Sequence, residues 1–207
     1  MMKKSLYGAI CVVFIFCLSL APGAVPTACA GDATDQIRET ADAVIAVLNN
    51  KELKKPENKL KRRKQLREIV DKRFDFAEMA KRSLGLAWNK RTPEEKKEFV
   101  SLFSDLLEDT YIRKIERYEH EKVIYTGERV EGSYAAVRTK VVTDQGVEIP
   151  VEYRIFKKGT KWEVYDIIIE GVSLVNNYRS QFSSIINSDT YAGLVKKLKE
   201  KVKKESE

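Results

Sequence analysis

Apolar positions along the chain recur first at the period of a helix, then at the period of a strand, then at the helical period again. From Asp32 to Asn49, Ile37, Ala41, Val44, Ile45 and Leu48 fall on one face, and Asn49-Asn50 is a stop signal. From Lys51 to Arg73 only Leu53, Leu60, Leu66, Ile69 and Val70 interrupt a run dense in Lys and Arg, which predicts a largely solvated helix face. Phe74 to Leu84 reads as a short helix with Phe76, Met79, Ala80 and Leu84 inward, closed by Gly85. Thr92-Pro93-Glu94-Glu95 then combines an N-cap hydroxyl, proline at the first helical position and a capping-box glutamate. Behind it Phe99, Leu102, Phe103, Leu106, Leu107, Tyr111 and Ile115 form a wide apolar stripe that must lie against a large apolar surface.

At about Glu121 the period falls to 2. Val123–Val130, Tyr134–Thr143, Val147–Phe156 and Trp162–Ile169 are predicted as four antiparallel strands, with turns at Asp144-Gln145-Gly146 and Lys157-Lys158-Gly159-Thr160. Val147, Ile149, Val151, Tyr153 and Ile155 alternate with Glu148, Glu152 and Arg154, and Pro150 belongs at an edge or a bulge because it has no N–H for a ladder. Asp166 is in phase with the apolar Trp162, Val164 and Ile168, so it is expected to be buried and to accept hydrogen bonds from a neighbouring loop. After Gly171 the stripe Leu174, Val175, Tyr178, Phe182, Ile185 and Ile186 predicts a helix. A last helix from about Thr190 carries Leu194, Val195, Leu198 and Val202. The order predicts an α+β fold, with helices packed on one face of a curled four-stranded antiparallel sheet.

The start of the chain changes this picture. Lys3 and Lys4 precede an apolar run from Ser5 to Ala21, Pro22-Gly23 break it, and Ala28-Cys29-Ala30 offers small residues for cleavage. The run is shorter than the ~20 residues that span a bilayer. Residues 1–30 are therefore read as a signal peptide and 31–207 as a single exported domain, with lipid attachment at Cys29 as the competing reading. All three cysteines, Cys11, Cys17 and Cys29, lie in that segment, so cleavage after Ala30 leaves no thiol for disulfides, zinc or nucleophilic attack. Losing Lys3 and Lys4 with no acid lowers the net charge from +7 to +5. For an exported basic chain, anionic membrane surfaces and acidic proteins are better partners than nucleic acid.

Chemistry for catalysis is sparse. His120 is the only histidine and sits between Glu119 and Glu121, which makes neither a metal cluster nor a triad. Asp105, Glu108 and Asp109 are explained by ion pairs with neighbouring bases, and no catalytic or metal residue is assigned. Phe99, Phe103, Tyr111, Tyr125, Tyr153, Trp162, Tyr178 and Phe182 come together under the predicted fold, but periodicity does not separate a filled core from one that opens around a ligand.

The run Phe74-Asp75-Phe76-Ala77-Glu78-Met79-Ala80-Lys81-Arg82-Ser83-Leu84-Gly85 leads past Trp88 into Thr92-Pro93-Glu94-Glu95. Ile149-Pro150-Val151, Tyr153-Arg154 and the run from Tyr165-Asp166 through Glu170-Gly171-Val172-Ser173 to Asn177-Tyr178-Arg179-Ser180-Gln181-Phe182 follow. In order and spacing these motifs resemble the MlaC or toluene-tolerance family of periplasmic phospholipid-binding proteins, over almost the whole of 31–207. The resemblance implies a carrier with an apolar pocket between helices and sheet, holding the acyl chains of a phospholipid. It implies no enzymatic activity and no cofactor. It further implies work in the periplasm between an inner-membrane Mla-type ABC complex and an outer-membrane lipoprotein–porin complex. Stripe position selects Phe99, Phe103, Leu106, Tyr111, Val151, Tyr153, Trp162, Val164 and Phe182 as pocket residues, with Arg179 at its mouth to meet a phosphate. An envelope hydrolase using distant carboxylates, and a chaperone-like adaptor with a solid core and no lipid, are the alternatives. The bases from Lys51 to Arg67 and from Lys196 to Lys204 are read as solvated helix faces, or else as docking surfaces for acidic partners or headgroups.

Overall fold

The structure, a computed structural model, describes residues 31–116 and 121–206. The expected signal segment with Cys29, and His120, lie outside these residues. Helix α1 (Asp32–Asn49) is followed by a 3-10 turn (Pro56–Asn58), α2 (Lys59–Asp71), α3 (Phe76–Leu84), a 3-10 segment (Gly85–Lys90) and the long α4 (Pro93–Ile115). Strands β1 (Lys122–Glu131), β2 (Tyr134–Val142), β3 (Glu148–Lys158), β4 (Lys161–Ile169) and β5 (Val172–Ser173) come next, then α5 (Leu174–Ser188) and α6 (Tyr191–Ser206). No described helix is long and apolar enough to cross a membrane.

Local chemistry fixes the element starts. The Thr92 hydroxyl accepts from the Glu95 N–H at 3.2 Å and the Glu95 carboxylate accepts from the Thr92 N–H at 2.9 Å, so the expected capping box opens α4. Asp75 caps α3 by accepting from the Glu78 N–H at 2.8 Å. This shortens the helix expected from Phe74. Phe74 instead sits in a parallel bridge with Val164, where the Asp75 N–H donates to the Val164 carbonyl and the Val164 N–H to the Arg73 carbonyl. Extended backbone satisfies the free groups on this side of β4, and a helix would have left them unpaired.

The strands form one antiparallel meander in sequence order, and β5 adds a two-residue fifth strand to the four expected. The β3–β4 hairpin turns through Gly159 at φ +63°, between the paired Lys158 and Lys161. Pro150 lies in an interior strand, one residue beyond the last β3–β4 pair, Val151–Ile169, where its missing N–H costs no ladder bond. Register shifts at Thr126 in β1 and Tyr165 in β4 are bulges that bend the sheet. The second corrects the phase read for Asp166. Arg154 pairs with Asp166 and Ile155 with Val164, so Tyr165 is the extra residue and Asp166 shares a face with Arg154 rather than with Val164.

Three apolar clusters hold the elements together. The largest is helical, built from α3, α4, α5 and α6 around Met79, Phe99, Phe103, Tyr178, Phe182 and Leu194. A second joins Ala33 and Ile37 of α1 to Ala135, Val137, Ile155, Trp162 and Val164 of the sheet. Leu48, Leu66 and Ile112 tie α1, α2 and α4 together. Phe74 packs against both the first and the second cluster and links them.

Candidate functional site

The register places Tyr125 opposite Thr139, Thr139 opposite Val151, Val137 opposite Tyr153, and Tyr153 opposite Ile167. Side chains at these alternate positions share the sheet face that α1 covers. Under α1 this face is sealed, with Val137, Ile155 and Val164 at 0 % exposure. Toward the far ends of the strands it is not, since Val123, Val141, Ile149, Val151, Ile167 and Ile169 are only half-buried. The long α4 makes its main contacts with α3 and α6 rather than with the sheet. One end of the helix-facing side thus presents apolar surface that protein leaves partly uncovered.

Two tyrosines mark the boundary. Tyr153 is half-buried, and desolvation raises the pKa of its hydroxyl. Tyr125 is raised to about 12, by burial first and then by Tyr153 and Asp42, against the opposing Arg38 guanidinium. That guanidinium lies 4.4 Å from the centre of the Tyr125 ring. Among the described residues, the Tyr125 Oη is buried with no hydrogen-bond partner. An unpartnered buried hydroxyl is costly and asks for an acceptor.

The residues chosen from the stripes divide. Phe99, Phe103, Leu106 and Phe182 lie in the helical cluster at 0–3 % exposure, and the Phe182 ring meets those of Phe99 and Phe103 edge-on at 5.6 and 5.9 Å. Trp162 and Val164 are sealed under α1, where the Trp162 Nε1 donates to Asp32 at 3.0 Å. Side chains closed on every side by protein make a wall, and in this structure they offer no surface to a ligand. Tyr111, Val151 and Tyr153 keep accessible surface. Burial, and secondarily Tyr178, raises the Tyr111 hydroxyl. The sequence reading did not select Tyr125, Val141, Ile149, Ile167 or Ile169. Alternation put Ile149 on the right phase, but only strand pairing shows which end of each strand the helices leave uncovered.

Arg179 lies apart from this face. It is exposed, and it lines a pocket of about 320 Å³ with Arg82, Gly85, Trp88, Arg154 and Tyr165. Arg154 alternates with Tyr153 and Ile155 along β3, so this pocket opens on the opposite side of the sheet from Val151 and Tyr153. Arg179 is not at the mouth of the apolar face. Asp166 does serve structurally, as expected, accepting from the Ser173 hydroxyl at 2.6 Å and the Val175 N–H at 3.0 Å. Several bases of the first basic run are committed to α4, with Arg62 and Arg63 on Glu116 at 2.7 and 2.9 Å and Arg67 on Asp105 and Glu108. Among the described residues no group of three or more His, Cys, Asp or Glu could hold a metal.

Comparison with known proteins gives one consistent result. The family model described as MlaC protein matches residues 38–200. The intermembrane phospholipid transport system binding protein MlaC of Haemophilus influenzae is 25% identical over 122 residues, 56% of this chain and 57% of that protein. The toluene tolerance protein ttg2D of Pseudomonas putida is 26% identical over 121 residues, 54% of this chain and 56% of that protein. The chain thus spans a little over half the length of these relatives. A solved structure of the phospholipid-binding protein from Ralstonia solanacearum, in complex with a phospholipid, superposes with a TM-score of 0.77 at 27% identity. The match covers 86% of this chain and all of that one.

Proposed function

Because the chain belongs to the MlaC family, we propose that it binds a phospholipid and carries it through the periplasm between the two membranes of a Gram-negative envelope. In this reading it is the soluble component of an Mla-type system. It docks in turn on an inner-membrane ABC complex and an outer-membrane lipoprotein–porin complex, and no covalent chemistry is involved. The observation that carries the reading is the half-buried apolar end of the helix-facing sheet side, flanked by Tyr125 and Tyr153.

The energetics explain why such a face suits a shuttle. Each methylene is worth roughly 0.8 kcal/mol, so an acyl chain of about fourteen would cost ~11 kcal/mol to expose to water. The protein must offer hydrocarbon surface nearly as good as the bilayer, or it extracts nothing, and not much better, or it releases nothing. Val141, Ile149, Val151 and Ile167 supply surface of this kind. The Tyr125 hydroxyl supplies one polar group, to be satisfied by the ester region of the cargo. Phe99, Phe103, Leu106, Trp162, Val164 and Phe182 are then the packed wall behind the lining.

Native mass spectrometry tests the reading on protein purified from the envelope and again after incubation with liposomes. A mass increment equal to one or more phospholipids is expected. The bare polypeptide mass under both conditions would overturn the proposal.

A further inference from the structure

The pocket beside Gly85 has a composition that the lipid-carrying role does not use. Four cations line it, Lys81, Arg82, Arg154 and Arg179, against a single acid, Asp166. Both Asp166 oxygens are occupied by Ser173 and Val175 at the start of α5, and the nearest Arg154 nitrogen is 4.0 Å away. Glu78, outside the lining, holds Lys81 at 3.0 Å and Arg82 at 2.8 Å, and Glu152 holds Arg154 at 3.4 Å. Arg179 makes no ion pair with any described residue.

Arg179 lies directly against Gly85. Gly85 has φ +56°, and a Cβ there would stand 3.0 Å from the Arg179 Nε and 3.3 Å from its Cζ. A side chain at position 85 would strain the backbone and push the guanidinium away. Arg82 is fixed in turn, with its guanidinium 4.1 Å from the centre of the Tyr165 ring. The α5 terminus itself is not the attraction, because the Val175 and Asn176 N–H groups are already taken by Asp166 and Ser173. What remains is a concave site lined by three guanidiniums and a lysine, with fewer acids than bases around them.

We propose that this pocket binds the oxyanion of a phosphate group, with Arg179, Arg82 and Arg154 as its ligands. Guanidinium forks match phosphate oxygens two at a time, and a phosphate relieves the mutual repulsion of the cations around it. The site lies across the sheet from the proposed acyl face, so it stands without that reading. Two sources carry this chemistry, a phospholipid headgroup at a bilayer surface and a free phosphate. Leu86, 81 % exposed on the same 3-10 segment, would enter the bilayer in the first case only.

The test uses the full exported chain. Inorganic phosphate is titrated against chloride of equal ionic strength while the amide NMR signals of Gly85 and Asn176 are followed. Saturable shifts are expected, weakened about tenfold by Arg179→Gln and by Arg154→Gln and unchanged by Lys199→Gln on α6. Arg179 is exposed, and an unaltered spectrum elsewhere verifies that each variant is folded. In parallel, sedimentation with phosphatidylcholine vesicles is measured with and without phosphatidylglycerol. Binding to the anionic vesicles that falls with both Arg179→Gln and Leu86→Ser identifies the headgroup as the source. Phosphate binding lost in Arg179→Gln, with vesicle binding unchanged in both variants, identifies the free anion. The proposal is overturned if phosphate produces no saturable shift and Arg179→Gln leaves vesicle binding intact. It is equally overturned if a glutamate-rich peptide saturates the pocket where phosphate does not.

Discussion

Glu128 on β1 caps α1 from 94 residues away, its Oε2 accepting from the Thr34 N–H at 2.7 Å and from the Thr34 hydroxyl at 2.5 Å. Gly31, the N-cap residue, has no side chain to do this, and a Cβ there would collide with the Glu128 carboxylate. The cap therefore welds α1 to the edge strand. Replacing Glu128 by Ala is expected to cost about 1–2 kcal/mol, the usual worth of an N-cap. Urea denaturation monitored by circular dichroism measures it, and an unchanged midpoint would show that the cap carries no load.

Acid should loosen the junction of α2 and α4. Burial disfavours the Glu116 carboxylate, but hydrogen bonds from Arg63 and Arg62 outweigh it and hold its pKa below the ordinary value. A carboxyl depressed on folding contributes stability above its unfolded pKa, and that contribution is lost as pH falls through the lower folded value. The window is thus below about pH 4.3, the ordinary glutamate value. Glu116→Gln should cost about 2 kcal/mol at pH 7 and progressively less as the solution is acidified. Parallel pH–stability curves for the two proteins would refute this account.

Tyr125→Phe removes a buried hydroxyl that has no hydrogen-bond partner among the described residues. The lipid-free variant is expected to gain about 1 kcal/mol of stability. If the hydroxyl meets the ester region of a bound lipid, the same change weakens lipid retention. Thermal melts before and after delipidation separate the two effects, and a variant less stable without lipid would point to a bond within the protein.

Wall and lining should respond differently to substitution. Phe103→Ala empties a fully buried ring site and should cost about 3–5 kcal/mol while leaving a lipid-sized mass increment at low temperature. Val151→Trp adds bulk on a half-buried face and should lose the increment with little change in stability. Native mass spectra of both variants decide this, and the opposite pattern would assign the pocket to the helical cluster.

Much of the fold is written in local pattern. The Thr92 capping box, the change of period near Glu121, the alternation through Tyr153 and the turn at Gly159 each depend on residues a few positions apart, and each element formed where its pattern placed it. Errors arose where a partner lies far along the chain. Phe74 continues a helical stripe in sequence, yet its backbone meets Val164 of β4. Asp166 keeps strand phase until the bulge at Tyr165 turns it over.

The amino-acid order alone determined the element types, their succession and the stock of long apolar side chains, because helical and strand periods express nearest-neighbour geometry. It also carried motifs specific enough to mark a family. Tertiary structure alone decided which apolar residues are sealed and which stay accessible, since Phe99 and Val151 are equally apolar on paper and differ only in what the rest of the chain lays over them. It likewise moved Arg179 to the far side of the sheet, beside Gly85. Accessibility depends on the sum of contacts from segments distant in sequence, and a one-dimensional pattern holds no record of that sum.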